Sequence, residues 1–335
     1  MNAQTSLLAL AAVLTAAPAF ADEVNVYSSR QPELIQPLFD RFTKETGIAV
    51  NVAFVEKGLA ERLASEGSRS PADLVMTVDI SKLAQIVDAG VTQPVISEVL
   101  GANIPAEFRD PGNQWFGLTS RARIIYASKE RVADGEVTTY EDLANPKWKG
   151  RICTRPGTHD YNLGLTAAMI VHHDTAYAKG WAEALRANLA KKPDGNDRSQ
   201  VKSIWAGECD ISLGNTYYMG QMVADPEQKP WAESVRIVYP TFENGGTHMN
   251  VSGVAMTTSA PNREAALKLM EWLSSDEAQA IYAETNNEFP VKPGVKRSAL
   301  VESWGDFTPD TINLMDIAKE RPAALKLMEE VNFDG

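Results

Sequence analysis

Cysteine is scarce in this 335-residue chain, which carries only Cys153 and Cys209. Neither has a second cysteine or a histidine at ligand spacing, which excludes a thiolate zinc or redox centre. Histidine is equally sparse, at four residues. The chain has no HExxH, no nucleophile elbow, no Cys–His pair and no phosphate-cradling glycine loop, so no enzyme class is indicated. Basic charge is outweighed, 32 Lys and Arg against 44 Asp and Glu, and the net charge of −12 is spread along the chain. Nucleic acid is therefore not expected as a partner, because its binding face should be basic; a cation is not repelled. No apolar run is long enough to span a bilayer. The run from Leu7 to Ala17 lacks a preceding Lys or Arg but is followed by Ala19-Phe20-Ala21, the small-x-small form of a signal-peptidase site. Residues 1–21 therefore read as a cleaved signal peptide, with the bacterial periplasm as the destination. In that oxidising compartment the two cysteines either pair or stand as two buried free thiols, and the address favours pairing.

What is present is ordinary globular material, 44% hydrophobic and 23% charged, in a length that suits two domains. Val24–Tyr27, Ile48–Phe54 and Asp73–Thr77 read as strands. Between and after them, Leu34, Ile35, Leu38, Phe39 and Phe42, then Leu59 and Leu63, then Ile80, Leu83, Ile86 and Val87 recur at helical spacing. This β-α-β-α-β opening predicts an open, mainly parallel sheet with helices on both faces. Ligands then bind beyond the carboxyl ends of the strands, at Ser28–Gln31 and Thr77–Asp79. Further on, Trp115–Thr119 and Arg123–Tyr126 read as two strands with Arg121 between them. His172-His173 reads as a solvated pair near a helix C-terminus.

The chemistry concentrates at Gly214-Asn215-Thr216-Tyr217-Tyr218-Met219-Gly220. Upstream, Glu208–Leu213 alternates as a strand; downstream, Met219, Met222 and Val223 keep helical spacing until Asp225-Pro226. Two tyrosines therefore stand at a strand-to-helix junction, where Asn215 or Thr216 can cap the helix. The same order recurs at Tyr161: the Cys153 strand, the polar loop Arg155-Pro156-Gly157-Thr158-His159-Asp160, the tyrosine, then an apolar helix. A free phenol is neutral at pH 7, but a hard trivalent cation inverts that preference, and phenolate oxygen is a hard ligand. The repeated geometry predicts three phenol oxygens on one cleft wall.

Several motifs carry a family resemblance. Val26-Tyr27-Ser28-Ser29-Arg30-Gln31, Ser70-Pro71-Ala72-Asp73, Trp115 through Arg123, Gly214 through Tyr218, Asn250-Val251-Ser252-Gly253-Val254 and Asn287-Glu288-Phe289-Pro290-Val291 together resemble the periplasmic ferric-iron-binding proteins, over essentially the whole mature chain. The resemblance implies an α/β class fold of type II periplasmic binding proteins: two α/β lobes joined by a two-strand hinge, with the ligand cleft between them. The first lobe would comprise residues 22–120 with 246–296, and the second residues 121–245 with 297–335. It further implies that Tyr161, Tyr217 and Tyr218 are the iron ligands. Ferric iron, Fe(3+), would arrive free or as a chelate and pass to the permease of an inner-membrane ABC transporter, the binding protein working as a monomer. Some family members add a His and a Tyr from the loop after the first strand. Gln31 and Pro32 stand there in this chain, which favours carbonate or another small anion as the remaining ligand. Arg121 is the first candidate to hold that anion, with Gln31 and Thr158 adding neutral hydrogen bonds. Arg123 and Arg30 are weaker candidates, and His159 reads as a turn residue. The competing expectation is the same fold carrying an oxyanion, a polyamine or a thiamine-like solute.

Overall fold

The computed structural model describes residues 22–335 except Gln31 and Glu56, so the signal-peptide reading of 1–21 lies outside the described residues. The opening follows the expected pattern. β1 (Glu23–Ser28) pairs in parallel with β2 (Ala49–Phe54) and β3 (Leu74–Thr77). The helices Gln36–Thr46, Leu59–Glu66 and Ile80–Asp88 connect them or follow them. Two helix boundaries are set locally. Gly47 closes the first helix in the left-handed region at φ 75°, and Asp79 caps the third by accepting from the Ser81 N–H at 2.8 Å.

Beyond this parallel core the sheet turns antiparallel and divides. The short β4 (Thr92–Gln93) lies beside β9 (Met249–Thr257), which also pairs with β3. Trp115–Tyr126 was expected to hold two strands, but Phe116–Ser128 is one strand, β5, buried along its whole length. The alternation breaks because β5 has no solvent face to record: burial on both sides makes polar and apolar positions equally interior. Its first half pairs with β9, ending at Arg121↔Asn250 and Ala122↔Met249, and Phe289–Pro290 (β10) adds to the same half. From Arg123 onward its partners are β7 (Ile211–Asn215) and β8 (Val235–Val238), and β7 in turn carries the parallel β6 (Ile152–Cys153). β5 therefore crosses the molecule, changing partners between Ala122 and Arg123.

Cys153 and Cys209 are joined in a disulfide, with both residues in the apolar core beside β5 and β7. His172 and His173 depart from expectation, because neither is free in solvent. The chain returns at Thr247↔Pro309 and lays Asp310 over the end of the helix Asp160–His172. His172 meets Asp310 at 2.7 Å and stacks on Phe242 at 3.9 Å, while His173 meets Glu141 at 2.7 Å. Burial works against a charged His172, but the hydrogen bond and charge of Asp310 outweigh it and raise its pKa.

Candidate metal centre

Each tyrosine of interest opens a helix that leaves the sheet at a strand end. Tyr161 is the second residue of the helix Asp160–His172, whose N-cap is His159: its Nδ1 accepts from the Tyr161 N–H at 3.2 Å. An imidazole accepting at Nδ1 is neutral, and burial first, then the charge of Arg155, pushes its pKa down to about 4. His159 is thus committed to the cap although it also lines the cavity. Tyr217 begins the helix Tyr217–Ala224 directly after β7. Neither expected cap forms there. Thr216 makes no side-chain cap bond, its Oγ1 accepting instead from the Ala122 N–H, and the Asn215 amide oxygen accepts from Arg123.

The three phenols converge. The Tyr161 and Tyr217 hydroxyl oxygens stand 3.2 Å apart, and the Tyr217 and Tyr218 ring centroids 4.3 Å apart at a tilt of 39°. All three line a cavity of about 510 Å³ whose opposite wall carries Ser29, Arg30, Val78 and Glu288. That wall includes the strand ends where the β-α-β pattern predicted a ligand. Burial, then the neighbouring Tyr161, raises the pKa of both Tyr217 and Tyr218 above the ordinary phenol value. Both are neutral at pH 7, so a cation must displace their protons.

Guanidinium groups complete the lining. Arg121, buried at 2% exposure, donates from Nη1 to Ser252 Oγ at 3.2 Å and from Nη2 to the Val78 carbonyl, while its Nε has no partner. Arg30 is neutralised by Glu288 at 2.5 Å, and Arg155 meets Asp197 at 3.2 Å, a carboxylate that it shares with Arg123. Arg198 also faces the cavity. Among the described residues neither Arg121 nor Arg198 pairs with a carboxylate, and of the two Arg121 is the buried one.

The other expected anion contacts fare differently. Thr158 does not line the cavity: its hydroxyl and N–H both donate to Asp334, at 2.6 and 3.2 Å. Gln31 lies outside the described residues. Arg123 turns away from the cavity to Asp197, Asn162 and Asn215. Neither Arg155 nor Arg198 was expected to line the cavity. Arg155 shares the loop of Thr158 and His159, but nothing local says which loop side chains face inward.

Backbone approach at the Tyr217 strand is tight. A Cβ on Gly214 would sit 2.2 Å from Tyr126 Cε2, and the Tyr126 hydroxyl donates to the Asn215 carbonyl at 2.7 Å. Gly214→Ala should therefore destabilise the fold by about 1–3 kcal/mol, as overpacking does. A denaturant midpoint equal to that of the parent would show that Tyr126 moves at no cost.

Among the described residues no group of three or more His, Cys, Asp or Glu side chains could hold a metal ion, so the phenol cluster is the donor set to account for. Residues 27–280 match the model of the bacterial extracellular solute-binding protein family. The chain belongs to that family. Among the relatives of this solute-binding protein is iron uptake protein A1 of Synechocystis, 43% identical over 94% of this chain and 89% of the relative. The ferric iron-binding protein A of Mannheimia haemolytica, solved in an open conformation, is 53% identical, covers 94% of this chain and 100% of its own, and superposes with a TM-score of 0.89. A Trichodesmium protein solved in complex with iron and citrate ligands is 42% identical, with 93% and 99% coverage and a TM-score of 0.89. The fold is accordingly that of the periplasmic binding proteins, two α/β lobes joined at β5 and the return into β9, and the cavity lies in the cleft between them. No described helix is long and apolar enough to cross a membrane.

Proposed function

We propose that this protein captures ferric iron in its interlobe cleft through the phenolates of Tyr161, Tyr217 and Tyr218, and hands it to an ABC-type permease of the inner membrane. The observation that carries the reading is the gathering of the three tyrosines on one cavity wall, with the Tyr161 and Tyr217 oxygens 3.2 Å apart and the Tyr218 ring against that of Tyr217. Three phenolates balance the charge of the ion, and oxygen donors of this hardness suit it. The relatives named as ferric-binding and iron-uptake proteins support the same cargo. A cleaved leader over residues 1–21 would deliver the chain to the periplasm. A lobe boundary after Ser120 would fall within two residues of the point where β5 changes partners.

In the open protein the Tyr217 and Tyr218 phenols are neutral. The incoming ion displaces their protons, a small anion such as carbonate completes its coordination against Arg121, and the first lobe closes over it. Acid reverses the first step, and reduction weakens it, because the ferrous ion has a poorer hold on phenolate.

Titration of the iron-stripped protein with a soluble ferric chelate tests the reading. The expected result is a visible phenolate-to-iron charge-transfer band saturating at one iron per chain. Apparent affinity should rise about tenfold per pH unit for each phenol proton displaced. A folded protein that stays colourless with carbonate present would instead assign the cleft to another solute. Arg121→Ala should weaken binding by about 10–100-fold in carbonate buffer, as losing a group that orients a ligand does, and by much less without carbonate. An equal loss in both buffers would remove the anion role.

A further inference from the structure

Behind the tyrosine wall lies a buried polar cluster centred on Arg123 and Asp197, which are 3% and 0% exposed and do not line the cavity. From Nη1, Arg123 donates to Asp197 Oδ2 at 2.8 Å and to Asn215 Oδ1 at 3.1 Å; from Nη2, to Asn162 Oδ1 at 2.7 Å. Asn162 follows Tyr161 directly. Its own Nδ2 grips the preceding loop at Thr154 Oγ1 and at the carbonyls of Arg155 and Pro156. Asn215 stands two residues before Tyr217, and its N–H donates to Asp197 Oδ2 at 3.0 Å. The other Asp197 oxygen accepts from the cavity residue Arg155 at 3.2 Å. The Arg123 guanidinium also lies 5.8 Å from the centre of the Tyr161 ring.

One ion pair therefore touches both tyrosine-bearing segments and one cavity arginine. Stability alone does not explain it, because a buried ion pair is often no better than well-packed apolar residues of the same volume. What a planar guanidinium supplies is geometry: several donors at fixed angles, which the point charge of a lysine cannot reproduce. Arg123 also sits where β5 changes partners, directly opposite Asn215, so the fork is anchored to the crossing strand. Building on the ferric reading, we infer that Arg123 and Asp197 are positioning residues: they fix Tyr161 relative to Tyr217 and Tyr218 so that the three phenol oxygens meet one ion.

The test compares the whole protein with Arg123→Lys and with Asn162→Ala, the second removing one arm while leaving the ion pair intact. Ferric affinity is measured together with the intensity per bound iron of the phenolate-to-iron band, which counts coordinated phenolates and does not follow stability. Both variants should bind iron about 10–100-fold more weakly and show a weaker band per iron. Tyr161→Phe should then cost less in either background than in the parent, the non-additivity of residues that share a partner. Arg41→Lys, whose parent arginine pairs with Glu277 at 2.6 Å on the surface, should change none of these. An unchanged band per iron in the folded variants, or strict additivity with Tyr161→Phe, would overturn the positioning role, whatever the variants do to stability. A colourless parent is a different outcome: it would remove the ferric reading itself, and the positioning role with it.

Discussion

Replacing Tyr217 and Tyr218 together by Phe is expected to abolish the visible ferric band and to weaken ferric binding far beyond the about 10–100-fold lost with a group that merely supports a ligand. The substitutions remove two donor oxygens and little else. The two rings pack against each other at 4.3 Å, and Phe preserves that contact. Both phenols are neutral in the metal-free protein, since burial and the neighbouring Tyr161 hold their pKa values above the ordinary value, so no charge is lost from the fold. The hydrogen bond between Tyr217 and Tyr161 disappears, which should move stability by about 1 kcal/mol. A large binding defect in a protein of unchanged stability would thus isolate the ligand role. The single variants should each leave a weaker, shifted band, because two phenolates remain. A double variant that still colours with iron at parental affinity would show that the ion is held elsewhere.

Removing the disulfide by Cys153→Ala with Cys209→Ala should lower stability by about 4 kcal/mol in the chain-entropy model, given a sequence separation of 56 residues. The bridge acts at a telling place. Cys153 ends β6, from which the chain enters the loop to Tyr161, and Cys209 lies two residues before β7, which leads to Tyr217. It therefore ties together the roots of both tyrosine-bearing segments, while Arg123 and Asp197 tie their tips. Because the tips keep their own network, the folded variant should retain ferric binding while its denaturant midpoint falls. A midpoint equal in oxidised parent, reduced parent and variant would mean that the bridge contributes nothing to stability.

Much of this organisation is legible in the sequence. Apolar spacing records which faces are buried, so the opening strands, their helices and the strand ends expected at Ser28–Gln31 and Thr77–Asp79, of which Ser29, Arg30 and Val78 line the cavity, followed from periodicity. Tyr161, Tyr217 and Tyr218 were legible because each sits at a strand-to-helix step, a local pattern. The cysteines could be counted, but their pairing stayed open, since proximity across 56 residues is not a local property.

The misreadings share one cause. β5 looked like two strands because a strand buried on both faces loses the alternation that marks it. His172 and His173 looked solvated because Asp310 and Glu141, distant in sequence, cover them. Thr158 looked like an anion ligand, and instead meets Asp334 near the C-terminus. Long polar side chains have several rotamers, and their own segment does not choose among them. By itself, then, the sequence determined the opening strand and helix order, the family and the strand-to-helix steps that carry the tyrosines. Only the tertiary structure decided which arginines face the cleft and which hold it from behind, because that choice rests on partners such as Asp197, Ser252 and Glu288 that folding brings from far along the chain.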